Sequence, residues 1–255
     1  MGLLDKLFGK KPSGHATYVP TPEPTVQEPV AITVPIDMSK HAENLGKVLI
    51  DMSKNSKVDM SKHTARVAMV MDYSGSMSNL FRNGSVQDTI TRLLPIALKF
   101  DDNGELESWL FSSHKTRLAA VTLKNYENYV KNVINHSGMS MGGTYYAPVL
   151  NDVVTYYKDI EPSTIPAFVI FITDGENSDE SATDQIIREL SNYNMFVQFI
   201  GIGNEDFNYL KKLDNLSGRN SDNTGFIKVS DMNKLTDEQL YTEILRQYKD
   251  WLNKR

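Results

Sequence analysis

The stretch MVMDYSGSMS, Met69–Ser78, ends an apolar run with an aspartate, a glycine and a cluster of hydroxyls. A buried strand that stops at Asp72 and is followed by Ser74 and Ser76 has three readings. It is a tight turn with helix-capping serines, a phosphoryl-accepting aspartate, or part of an oxygen-ligand metal site. The choice depends on what the rest of the chain places at equivalent positions. From Arg66 onward, strand-length apolar runs recur as RVAMVMD, ESWLFS, AFVIFITD, FVQFIGIG and GFIKVS. Amphipathic stretches lie between them at Val86–Phe100, Tyr126–Asn135, Ala147–Tyr157, Ala182–Tyr193, Phe207–Leu213 and Asp237–Leu252. This alternation predicts an α/β fold, a doubly wound and mostly parallel sheet with helices on both faces. FDDNGELES, with Asn103-Gly104, reads as a tight turn between elements rather than a calcium loop, because the later glutamate and alternating spacing are missing.

In open α/β sheets, ligands bind outside the carboxyl ends of the strands. Asp72 ends one strand and Asp174, in FVIFITDG, ends another. Thr144, in the glycine-rich loop GMSMGGTYYAP, is a third contributor ahead of the helix at Ala147. Asp72, Ser74, Ser76, Thr144 and Asp174 present only hard oxygens, which suit magnesium, with manganese or calcium as alternatives, and not zinc or copper. Ser74 and Ser76 alternate so that two hydroxyls of one loop reach one point, with Gly75 permitting the bend. Mostly neutral ligands leave a cation undercompensated and open to an incoming carboxylate, so the expected partner is a protein supplying an acidic group.

The competing readings fit less of the chain. A turn leaves Thr144 and Asp174 unexplained. A magnesium-dependent phosphatase needs a second acid two residues after Asp72, where Ser74 stands, and no lysine–aspartate pair completes its site. His114 and His136 have no nucleophile-elbow context, so a non-enzymatic protein is expected. The acidic patch Asp174, Glu176, Asp179 and Glu180 reads as a solvated loop with favourable charges at a helix N-terminus. Of Tyr145 and Tyr146, one is expected at the ligand rim and the other in the core.

DYSGS matches the D-x-S-x-S signature of von Willebrand factor A (vWA) domains, whose metal-ion-dependent adhesion site (MIDAS) also uses a threonine and a later aspartate in TDG. TARVAMVMDYSGSM, LKFDDNGELESWLFSS, MGGTYYAPVL and TDEQLYTEILRQYKDWL resemble the TerF-like branch, associated with tellurium and toxic-cation resistance, across residues 64–255. The resemblance implies a Rossmann-like vWA domain that binds magnesium through those five residues in a stress or toxic-cation context. A second implied role is a substrate-recruiting adaptor subunit of an ATPase or chelatase-type machine. Tyr73 departs from the usual isoleucine-like residue and alters the site rim rather than the ligands.

Elsewhere the 255 residues carry a net charge of −5 with scattered basic residues, so no nucleic-acid surface is expected. The absence of cysteine excludes disulfides, zinc–thiolate sites and thiol catalysis. No apolar run approaches the roughly 18 residues of a membrane span, and no secretory signal follows Met1, so a cytoplasmic location is expected. Residues 1–11, MGLLDKLFGKK, form a short amphipathic segment suited to weak membrane or partner contact. Lys6 at the sixth position argues against myristoylation of Gly2. Residues 12–35 read as a Pro-rich linker. Residues 36–63 repeat DMSK at Asp37, Asp51 and Asp59, and pieces such as KVLIDMSK are expected to be a short β-rich extension. His41 and His63 read as ordinary surface histidines, for want of a third ligand.

Overall fold

The computed structural model describes residues 36–255 except Glu176. The amphipathic segment expected at 1–11, the linker at 12–35 and the Glu176 member of the acidic patch lie outside the described residues. In chain order the elements are α1 (Ile36–Ser53), β1 (Arg66–Asp72), α2 (Ser78–Arg82), α3 (Ser85–Phe100), β2 (Leu106–Phe111), β3 (Lys115–Val121), α4 (Tyr129–Asn132), α5 (Ala147–Thr155), β4 (Ala167–Thr173), α6 (Glu180–Leu190), β5 (Met195–Ile202), α7 (Asn208–Asp214), β6 (Thr224–Val229) and α8 (Asp237–Asn253). The six strands form one sheet in the order β3-β2-β1-β4-β5-β6. All neighbours are parallel except the β2–β3 pair. The order reverses between β1 and β4, so a crevice opens where their carboxyl ends diverge.

The central strands read as unbroken apolar runs because both of their faces are covered. Every residue of β4 is buried, as are the last six of β1. Alternation sends Val67, Met69, Met71, Phe168, Ile170 and Ile172 into a core shared with α1, α3 and α8. Ala68, Val70, Val169 and Phe171 face the opposite core, with α5, α6 and α7. Edge strand β3 carries no such run. Its residues alternate between exposed and half-buried, with Lys115 and Arg117 on the outer edge, which is why sequence pattern passed over it. The helix expected over Tyr126–Asn135 is a short α4 flanked by 3-10 turns at Tyr126–Asn128 and Ile134–His136. Asparagines at 125, 128, 132 and 135 offer the backbone competing side-chain partners there. Asn103-Gly104 does form the expected turn, with Gly104 at φ +69° and Asn103 Oδ1 accepting from Glu105 N.

The β-rich reading of residues 36–63 is overturned, because Ile36–Ser53 is an 18-residue helix. A strand would put Val48 and Ile50 on one face. Instead Val48 and Leu49 are buried with Met38 and Leu45, a helical period, while Ile50 is 59% exposed. The three DMSK copies take different conformations: the helix start, the helix end, and a turn in which Asp59 Oδ1 accepts from Ser61 N and Oγ. Tertiary packing overrides the repeat, and Met38 and Met60 both enter the core of α3 and α8.

Neither histidine of this region is an ordinary surface residue. His41 Nδ1 lies 2.6 Å from Asp237 Oδ2 at the start of α8. Arg92 of α3 donates to Asp237 Oδ1 (2.9 Å) and to the carbonyls of Met232 and Leu235, so one carboxylate joins α1, α3 and α8. His63 is half-buried against Phe100 and hydrogen-bonds the Tyr248 hydroxyl (2.8 Å), and burial lowers its pKa to about 4. His114 and His136 are exposed. No helix among the described residues is long and apolar enough to cross a membrane. The helical phase of α1 predicts that Leu49→Ala costs about 3 kcal/mol. Ile50→Ala should cost under about 0.5 kcal/mol. Urea unfolding of the two variants measures both.

Candidate metal centre

The carboxyl ends of β1 and β4 bring Asp72 and Asp174 to the switch point of the sheet. Asp72 is fully buried. Its Oδ1 accepts from Ser74 N at 2.6 Å and its Oδ2 from the Thr173 hydroxyl at 2.6 Å. Ser74 Oγ lies 3.0 Å from Ser76 Oγ, which donates to Asp174 Oδ1 at 2.8 Å. Burial falls along this chain of contacts. Ser74 is 2% exposed, Asp174 is half-buried and Ser76 is open to solvent, so the cluster has one open side.

Burial pushes Asp72 up to about 6, against hydrogen bonds from Thr173 and Ser74 that pull it down. Asp174 is also raised by burial. Among the described residues the hydrogen-bond partners of these two carboxylates are hydroxyls and a backbone amide, with no lysine, arginine or histidine. Two carboxylates linked through Ser74 and Ser76, with no cationic side chain bonded to either among the described residues, fit a hard divalent cation. No group of three or more His, Asp or Glu side chains suited to a metal occurs among the described residues, so a cation held here would need hydroxyls as its remaining protein ligands.

Thr144 comes to the site through its loop. Gly75 N donates to Gly142 O (3.1 Å), and Ser74 and Gly142 form an isolated parallel bridge. The Thr144 carbonyl accepts from Ser178 N (2.8 Å), while the half-buried Thr144 hydroxyl makes no hydrogen bond among the described residues. Ser74, Ser76 and Asp174 are therefore linked side chain to side chain, Asp72 joins them through the Ser74 backbone amide, and Thr144 is joined through its own backbone. Gly75 does not have the role assigned to it from sequence. Its φ is not positive, and a Cβ there would meet nothing within 4 Å. Gly142 is the constrained glycine, because a Cβ would stand 2.6 Å from Ser113 Oγ, which also accepts from Gly143 N.

Two supporting residues escaped sequence reasoning. Thr173 orients Asp72, and strand alternation from Phe171 was the signal that could have placed it on the same face. Asp179, read as part of a solvated patch, caps the start of α5 by accepting from Tyr146 N and Ala147 N, both at 3.0 Å. These two amides lie more than 30 residues away in sequence, so only the fold reveals the cap. Tyr146 is the core tyrosine and Tyr145 the rim one, 39% exposed. Tyr73 packs edge-on against Phe81 at 5.0 Å beside the site.

The vWA-TerF-like family, described as the vWA found in the TerF C terminus, matches residues 64–255. The chain belongs to the TerF-like branch of the von Willebrand A family. A Bacillus subtilis (strain 168) relative, the uncharacterized protein YcbR, is 38% identical over 211 residues, covering 80% of this chain and 86% of its own. Solved vWA-type structures share the fold at lower identity. Mussel byssus proximal thread matrix protein 1, with a zinc-occupied MIDAS motif, aligns at a TM-score of 0.54 and 16% identity over 74% of this chain. That alignment spans 46%, under half, of the mussel protein. Manganese-loaded TRAP of Plasmodium vivax aligns at 0.50 and 17% identity, covering 66% of this chain and 70% of its own.

The raised pKa of Asp72 in this vWA domain has a stability consequence. The folded state holds the Asp72 proton up to about pH 6, whereas the unfolded chain releases it near 3.8. Metal-free protein therefore loses stability as pH rises through that window and keeps the deficit at neutral pH. From the size of the shift the deficit is about 3 kcal/mol. In Asp72→Asn this component is absent. The stability difference between variant and wild type, from denaturant unfolding in chelator at pH 4 and pH 7, should move in favour of the variant as pH rises.

Proposed function

We propose that this protein is a non-enzymatic, metal-dependent interaction module in which a partner's carboxylate completes the coordination of a bound cation. The observation that carries the reading is the pair Asp72 and Asp174, bridged by Ser74 and Ser76 at the switch point without any basic partner. Asp72 and Asp174 would neutralise the charge, and Ser74, Ser76 and Thr144 would add neutral oxygens. The cation would supply a Lewis-acidic position open to an acidic group of another protein. Magnesium is the first choice for such hard oxygens, with manganese or calcium as alternatives. The zinc in the MIDAS motif of the mussel protein and the manganese named for the Plasmodium protein support a divalent ion in a fold of this kind.

The same geometry weighs against a phosphatase. A nucleophilic carboxylate must reach phosphorus, and Asp72 is fully buried with both oxygens engaged by neighbours. The proposal extends to a cytoplasmic role in stress or toxic-cation (tellurium) resistance, the context that the sequence resemblance to the TerF-like branch implies.

Calorimetric titration of Mg2+ and Mn2+ tests the site. Wild type should bind both and Asp72→Ala neither, and equal binding by the two proteins would sink the assignment. Losing an outer-shell partner typically costs roughly 10–100-fold in affinity, so Thr144→Ala should lose at least tenfold while remaining folded by circular dichroism.

A further inference from the structure

Tyr146 is fully buried at the start of α5, and its ring packs edge-on against Phe171 (4.8 Å) and Phe111 (5.6 Å). A phenylalanine would fill the same space, and a buried hydroxyl is costly unless it is hydrogen-bonded. This hydroxyl lies 2.6 Å from Gly175 O and 3.1 Å from Thr173 Oγ1. The phenolic hydroxyl is the donor to both of these acceptors, sharing its proton between them. Thr173 is then free to give its single proton to Asp72 Oδ2, and its oxygen accepts from Gly175 N (3.3 Å).

The backbone of the same residue is held as firmly. Tyr146 N donates to Asp179 Oδ1, and the neighbouring Ser178 N donates to Thr144 O. One residue thus touches the segment after β4 that carries Asp174, supports the hydroxyl that orients Asp72, and stands two positions after Thr144. The three parts of the candidate site come from distant segments, and Tyr146 is where their contacts meet.

We propose that Tyr146 is the positioning residue of this site, holding Asp72, Thr144 and Asp174 at a fixed mutual spacing without itself contacting the cation. The inference rests on the metal-binding reading above and adds a residue outside the expected ligand set. Thr173 is the link through which the tyrosine acts on Asp72. Removing the phenolic oxygen frees the Gly175 carbonyl and loosens Thr173 while leaving the aromatic packing in place.

Mn2+ affinity, measured by loss of the free-ion electron paramagnetic resonance signal, and thermal unfolding in chelator test this together. Tyr146→Phe should lose roughly 10–100-fold in Mn2+ affinity, the range typical of outer-shell partners, with its unfolding temperature within a few degrees of wild type. Thr173→Val should lose affinity to a similar extent, and Thr173→Ser, which keeps the donor to Asp72, should retain it. Tyr209→Phe removes another hydroxyl of the same aromatic cluster, one that donates to Glu180 O and Asp184, and should bind Mn2+ as wild type does. These controls separate positioning from general loosening of the core, which would weaken all the variants alike. Should Tyr146→Phe fail to fold, the Val and Ser variants of Thr173 decide the matter. If Tyr146→Phe and Thr173→Val bind as wild type while Asp72→Ala does not bind, the positioning role is overturned and the metal site stands. If wild type binds no better than Asp72→Ala, both fall.

Discussion

A carboxylate buried at the carboxyl end of a central strand is the constraint around which this molecule is organised. Asp72 lies in the middle of a six-stranded sheet, where removing a charge from water is expensive unless neighbours compensate. The compensation observed is partial. One backbone amide and one threonine hydroxyl meet its two oxygens, yet its pKa still rises to about 6. Everything close to it follows from the need to keep that group hydrogen-bonded and to leave one side open. The serines continue the contact outward to Asp174, and the exposed Ser76 marks the mouth.

The loops that complete the site are held by interactions between distant segments. Gly142 approaches Ser113 so closely that a Cβ there would displace the Ser113 hydroxyl, and Asp179 of one loop caps the helix that follows another. Rigid neighbours matter because side chains presented on separate loops keep a common spacing only if the loops themselves are held. On the opposite layer, Asp237 gathers Arg92 and His41, so that α1, α3 and α8 share one nearly buried polar junction. The helix α1 precedes the span matched by the TerF-like family and still contributes Leu45, Val48 and Leu49 to the domain core.

Much of the sheet was legible from pattern alone. β1, β2, β4, β5 and β6 all fall on the quoted apolar runs, because double-sided burial leaves a one-dimensional signature. The order Asp72, Thr144, Asp174 was legible as well, since strand-end motifs keep local spacing. What failed were the segments whose character is set by a neighbour. The edge strand β3 opens with Lys115, Thr116 and Arg117 and continues through two small alanines, so no run of large apolar residues announces it. The run Lys47-Val-Leu-Ile50 resembles a strand until α3 and α8 bury one helical face of it.

The sequence by itself determined the fold class, the strand ends at Asp72 and Asp174, and the oxygen-only character of the side chains of Asp72, Ser74, Ser76, Thr144 and Asp174. These depend on periodicity and on side-chain types within a few residues of one another. Only the tertiary structure decided that residues 36–53 are a helix, that Gly142 rather than Gly75 is the constrained glycine, and that Tyr146, Thr173 and Asp179 brace the site. Those assignments depend on contacts between residues far apart in the chain, and no local pattern encodes a hydrogen bond whose partner arrives from another strand.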